Sequence, residues 1–219
     1  MVRFLLLISL LLTFSVNAAW DQHKETIAEV AVVTNVEPEL ITAVALLESS
    51  FRQDAKAAAG SSKGIMGITD PTWKHLVTKY GEEYEVKHSD RMKPRAELIM
   101  GAMYLSDIKT YLETRYKRKA TYTEIYLGYK FGPQRALEML SLNKTTKLVD
   151  FYPEAAERNK AVYFKENTPR TVAETARVFK NRIRAGLNQF GQEAKRLFEE
   201  KQEEAFVVYR DALNNSDCV

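Results

Sequence analysis

Cysteine is nearly absent from the 219-residue chain, with Cys218 near the C-terminus as its one example. A single thiol closes no internal disulfide, so the core must hold without one. Histidine is almost as scarce. His23, His75 and His88 are far apart in sequence and have no Cys at ligand spacing, so a metal is not expected. Nine Gly and six Pro leave long unbroken stretches, which favours helices over a sandwich of many short strands. Charge of one sign is also lacking: 32 Lys and Arg stand against 29 Asp and Glu. That balance has none of the concentrated basic character of a nucleic-acid binder, although a slightly basic surface suits an anionic polymer. No internal repeat or low-complexity tract interrupts the chain.

The N-terminus reads as a targeting segment. Arg3 is a short positive start, Phe4 to Val16 is almost wholly apolar, and Val16-Asn17-Ala18-Ala19 supplies small residues for cleavage. This is the pattern of a secretory signal peptide, cleaved near Ala18 or Ala19, and it implies a periplasmic or secreted protein. The apolar run is roughly 13 residues, against about 20 for a comfortable bilayer span. An uncleaved anchor is the alternative. No Cys lies nearby to take a lipid. Loss of residues 1–19 removes only Arg3 among the charged residues, leaving 31 basic against 29 acidic, a net +2.

Beyond it, helical blocks follow one another. Ile27 to Val33 is apolar with polar residues interspersed, and Asn35-Val36-Glu37-Pro38 breaks it. Pro38 then opens a helix over Glu39 to Ser50, because proline is tolerated at a helix start. Leu40, Val44 and Leu47 share a face of it, with Ile41 and Ala45 beside them. Phe51 to Thr72 is rich in Ala, Gly and Ser and reads as a loop folded on that helix. Helices are predicted over Pro94 to Tyr116 and Thr123 to Leu140, the second interrupted at Gly132-Pro133, with Thr121 and Thr123 as candidate caps. From Pro169 onward, Val172, Phe179, Ile183, Leu187, Phe190, Ala194 and Leu197 recur mostly at helical spacings. This amphipathic tail either docks on the body or pairs with a protein partner.

Glu48 closes an apolar helix, an uncomfortable place for a carboxylate. A carboxyl group kept partly from water holds its proton to higher pH, and a protonated one can act as general acid on a glycosidic oxygen. Alone, such a residue is far more often a surface acid. Its setting is more specific. Glu48-Ser49-Ser50-Phe51 is followed by Gly64-Ile65-Met66-Gly67 and then Pro71-Thr72-Trp73. This series resembles the catalytic core of the soluble lytic transglycosylases, relatives of goose-type lysozyme: Glu-Ser-x-Phe, a short loop, Gly-Leu-Met-Gln, then Thr-Trp. Tyr126-Leu127-Gly128-Tyr129-Lys130-Phe131-Gly132-Pro133 is similar to the family's Ala-Tyr-Asn-Ala-Gly-Pro motif. Asn159 to Phe164 and Pro169 to Glu174 resemble the closing segment of phage-type members, and the loop length before Gly64 also fits that branch. The likeness runs from about Glu25 to Arg182.

The resemblance implies a mainly α, lysozyme-like domain with a C-terminal amphipathic helix, divided as signal peptide 1–19, catalytic domain 20–184 and helical tail 185–219. It implies cleavage of the β-1,4 bond between N-acetylmuramic acid and N-acetylglucosamine in peptidoglycan, with a 1,6-anhydro product. Glu48 would be the sole acid and base, with no metal or organic cofactor, and Met66, Gly67, Tyr126, Tyr129 and Lys130 would line the substrate. Gly67 stands where the family has Gln, and Lys130 where it has Asn. Lys130 would instead present positive charge to a peptide-stem carboxylate.

Ordinary glycoside hydrolysis uses two carboxyl groups. Asp54 and Asp70 neighbour Glu48 in sequence and read as loop acids, Asp70 as the cap of a turn before Pro71. Trp73 and Phe131 read as core aromatics. A lysozyme that uses water as nucleophile, and a non-catalytic wall-binding protein with the same fold, are the alternative functions.

Overall fold

A computed structural model describes the backbone of residues 2–57, 60–158 and 160–216, and side chains within 15–57, 60–157 and 160–208. Cys218, Asn159 and the side chains of Met1 to Phe14 lie outside these described residues.

The chain is mainly α, as expected. It divides into two units: residues 1–104 with 186–219, and residues 105–185. In the first, α1 (Val2–Thr34) and α2 (Pro38–Ser49) are joined by a break at Asn35, whose φ of 52° is left-handed. The residues of α1 that face inward are Trp20, His23, Ile27, Val30, Ala31 and Thr34, all buried at three- and four-residue steps. Apolar residues from Leu40 to Ala45 are buried almost all round α2, which makes it the core helix of this unit. Pro38 sits in its first turn, where its missing N–H costs nothing.

Residues 51–57 and 60–69 lie in a loop tightened by short antiparallel bridges, Lys56 with Lys63 and Lys63 with Ile68. The loop ends three residues earlier than expected, because α3 (Asp70–Tyr80) begins there. Its cap is Thr69, whose hydroxyl accepts from the Thr72 N–H, so Asp70 is the first helical residue and not the cap. Trp73, Leu76 and Val77 bury one face of this helix, which was not among the expected elements. Next, α4 (Pro94–Tyr116) starts at the predicted proline.

The second unit holds the C-terminal part of α4, then α5 (Tyr122–Phe131), α6 (Pro133–Ser141) and two short helices, α7 (Pro153–Arg158) and α8 (Lys160–Tyr163). Thr121 caps α5 in a reciprocal box. Its hydroxyl accepts from Glu124 N–H at 3.3 Å, and the Glu124 carboxylate accepts from Thr121 N–H at 2.8 Å. Thr123, the other candidate cap, lies inside the helix. A two-residue hairpin pairs β1 (Phe164–Lys165) with β2 (Thr168–Pro169) before α9 (Val172–Gly186). Thr171 and Glu174 repeat the same box at its start.

A π-helical turn, Leu187–Gly191, leads from α9 into α10 (Gln192–Ser216). Sequence from Gly186 onward belongs to the first unit, packed on α1 and α2. A Cβ at Gly186 would approach Ala43 to 3.1 Å, and one at Gly191 would approach the Glu39 Cβ to 3.3 Å, so these glycines mark close helix contact. Trp20, Phe51 and Phe190 form a cluster with centroids 5.0–5.5 Å apart, and the Trp20 indole N–H donates to Glu193 at 2.9 Å. Farther along, Val32, Val33, Ala205 and Val208 line a shallow apolar groove, with Phe206 exposed nearby in sequence. Among the described residues no helix is long and apolar enough to cross a membrane.

Candidate active site

The last turn of α2 carries Glu48. The helix ends sharply because Ser50 (φ 56°) and Phe51 (φ 61°) are both left-handed, and Phe51 then inserts fully into the core. Two consecutive non-glycine residues in that region are costly, on the order of 1 kcal/mol or more each. Burial of Phe51 against Trp20 and Phe190 offsets that cost. Glu48 itself is half-buried, and one of its carboxylate oxygens, Oε1, is shut off from solvent.

The loop after the helix folds back over this carboxylate. Gly67 has φ 59°, and a Cβ placed there would lie 3.0 Å from the Glu48 Cβ and 3.2 Å from Oε2. Backbone alone therefore forms the wall beside Glu48, where the left-handed conformation favours glycine and a side chain would be a tight fit. Ser62 Oγ donates to the Gly67 carbonyl at 2.6 Å. Ser49 Oγ lies 2.7 Å from the Ile65 carbonyl and 3.0 Å from that of Ala45, sharing one hydroxyl proton between them. Met66 is fully buried, and its side chain packs where Gly101 has no Cβ: one there would come within 2.6 Å of the Met66 Cγ.

A buried ion pair fastens the same loop. Glu97, in the first turn of α4, has no exposed surface and accepts from the Ile65 N–H at 2.6 Å and from Arg91. Burial pushes its carboxyl up from the usual range, against the opposing pull of the Arg91 charge and the backbone donors. Arg91 also donates to the carbonyls of Ile68 and Lys63, and its guanidinium lies 4.9 Å from the Trp73 ring centroid. Glu97 and Arg91 were not among the candidates read from sequence. The signal was present, because Glu97 interrupts the apolar run Ala96 to Met100, just as Glu48 ends one.

Asp54 and Asp70 are both exposed. Asp70 pairs with Lys63 at 2.9 Å; the hydrogen bond from Lys63, and behind it the charges of Lys63 and Arg91, hold its carboxyl below the ordinary range.

In the second unit, Tyr126, Tyr129 and Lys130 lie on α5. Tyr126 is buried with its ring 5.5 Å from Phe179, Tyr129 is 9 % exposed, and Lys130 is exposed in the last turn. Gly128 lets the helix come against Ile108, since a Cβ there would overlap the Ile108 side chain. Phe131 is half-buried beside Phe179 and Tyr163, whereas Trp73, in the first unit, is 4 % exposed. The six candidate residues thus fall in two groups: Glu48, Met66 and Gly67 in one unit, the α5 residues in the other.

Residues 25–148, more than half of the chain, match the transglycosylase SLT domain. The chain belongs to that family. It is a peptidoglycan lytic transglycosylase, a lyase-type enzyme that cleaves glycan strands, with a lysozyme-like helical fold and a substrate that lies outside the cytoplasm. The matched interval contains all six candidate residues and ends at Leu148, before α9 and α10.

Proposed function

We propose that Glu48 is the single acid and base of this transglycosylase and that its product carries a 1,6-anhydro end. The observation that carries the reading is the setting of Glu48 at the end of a buried helix. One oxygen is closed off, and the glycine backbone at position 67 lies beside the other. In the first step the Glu48 carboxyl donates its proton to the glycosidic oxygen as the bond from C1 of N-acetylmuramic acid breaks, releasing N-acetylglucosamine at its 4-hydroxyl. In the second, the 6-hydroxyl oxygen of the same muramic acid bonds to C1 while its proton passes to the Glu48 carboxylate. No water is consumed, and Glu48 returns to its starting state. Because the nucleophile is part of the substrate, its effective concentration is already very high and no second carboxylate is needed. The separate occupation of Asp70 by Lys63 agrees with that economy.

Gly67 in the first unit, and Tyr129 and Lys130 on α5 in the second, remain proposed substrate contacts by the family motif, with Lys130 toward a peptide-stem carboxylate; Met66 and Tyr126 are buried and would support those segments from the core. Residues 1–19 are the proposed signal peptide: Asn17 and Ala18 are exposed, and Trp20 is the first buried side chain among the described residues. The proposal also keeps 20–184 as the catalytic domain, 185–219 as its helical tail, and the phage-type branch as the nearest part of the family.

Mass spectrometry of muropeptides released from sacculi tests the chemistry. The expected products lack one water relative to reducing-end fragments, and Glu48→Gln is expected to slow release by about 100-fold or more. Reducing ends would establish the hydrolytic reading. A Glu48→Gln protein with wild-type turnover would refute the assignment of the acid.

A further inference from the structure

Glu97 does more than balance a charge. A carboxylate removed from water is a burden on the fold unless both oxygens are well satisfied, and apolar replacements of such pairs are often as stable. At Glu97 the two oxygens are used in different directions. Oε2 takes the Ile65 N–H at 2.6 Å, while Oε1 takes Arg91. Arg91 in turn reaches the carbonyls of Lys63 and Ile68, at the two ends of the same turn. From the opposite side, Ser49, the residue after Glu48, holds the Ile65 carbonyl at 2.7 Å. The peptide groups of Lys63, Ile65 and Ile68 are therefore all tied, and the turn they bracket brings Gly67 to the Glu48 carboxylate. Gly64 lacks the side chain that would otherwise occupy the place of the Glu97 carboxylate.

We infer that Glu97 and Arg91 are positioning residues for catalysis: they clamp the turn 63–68 so that its backbone forms the wall beside Glu48. Neither side chain needs to touch the sugar. The clamp acts through the placement of Gly67, and displacement of a catalytic wall by about 1 Å can cost a hundredfold in rate. This inference rests on the reading of Glu48 as the acid.

The test uses the full chain, wild type and three variants, Glu48→Gln, Glu97→Gln and Arg91→Lys, with sacculi as substrate at a temperature below every melting transition. Gln keeps an acceptor for the Ile65 N–H but loses the ion pair. Lys keeps the charge but cannot span both carbonyls. Both clamp variants are expected to bind sacculi with KM within threefold of wild type while kcat falls 10- to 100-fold. Amide hydrogen exchange of residues 63–68 should quicken in the clamp variants, with helix α2 unchanged. A merely structural role would lower the melting temperature and leave kcat of the folded protein intact. Either clamp variant, folded and with kcat within threefold of wild type, overturns the inference. Glu48→Gln separates the two claims: if it retains turnover, the acid assignment fails, and if it alone loses turnover, only the clamp fails.

Discussion

Gly64→Ala is the sharpest probe of how the loop is held. Gly64 has φ 79°, a conformation that costs a non-glycine residue about 1–3 kcal/mol. A Cβ there would also land on the Glu97 carboxylate, which has no exposed surface to retreat to and is held by Ile65 N–H and Arg91. Moving it breaks a buried pair, a loss of about 3–5 kcal/mol when one partner is stranded. The two effects together come to about 4–8 kcal/mol, against about 5–15 kcal/mol for the whole stability of an ordinary domain. Gly60 supplies the internal control: its φ is 94°, and a Cβ there meets nothing within 4 Å. Gly60→Ala should therefore cost only its backbone strain, about 1–3 kcal/mol. Urea unfolding of both variants at neutral pH gives the comparison through midpoint and slope. A difference below about 1 kcal/mol between the two would refute the buried-clamp argument, since it is well under the loss expected from the pair. A double-mutant cycle with Glu97→Ala sharpens it: once the carboxylate is gone, Gly64→Ala should add little beyond strain.

Thr121→Ala removes the hydroxyl half of the α5 capping box and is expected to cost about 1 kcal/mol in urea unfolding; an unchanged midpoint would mean that Glu124 and Arg118 hold the turn by themselves. His23 is buried, and desolvation lowers its pKa from the ordinary value. The neutral ring is thus favoured by the fold, so its contribution is full above about pH 6.5 and is lost as pH falls through the depressed folded value. Melting temperature should consequently drop more steeply below pH 6.5 in wild type than in His23→Gln, and parallel curves would count against the assignment.

Local chemistry carried much of the fold. Pro38 and Pro94 open helices because a proline there forfeits no intrahelical bond, and both helices begin at those residues. The Thr-x-x-Glu pairs at 121 and 171 specify helix starts through bonds within four residues, needing nothing distant. α3 escaped notice although Trp73, Leu76, Val77 and Tyr80 follow helical spacing, because its exposed face is strongly polar and the stretch before it is loop-like. Gly186 and Gly191 carry no assigned role in the sequence pattern of the tail. They are where a continuous helical run crosses α2 at close range, a role visible only when Ala43 and Glu39 are placed opposite them.

For the proposed site, motif order points to Glu48 and the turn containing Met66 and Gly67, since residue type and spacing along one segment mark them as candidates. The departure at Gly67 acquires a reason only in three dimensions: its backbone is left-handed and lies close to Glu48, so a side chain there would be strained and tightly packed. Met66, expected beside the sugar, is fully buried over Gly101, a partner 35 positions away. Glu97 and Arg91 depended most on tertiary structure. Glu97 interrupts an apolar run, but what it and Arg91 hold is set by burial and by bonds to peptide groups 23 to 32 residues away. Short-range stereochemistry and patterning can be read along the chain. Which buried charge is paired, and which backbone it holds, depends on long-range packing that the linear order does not encode.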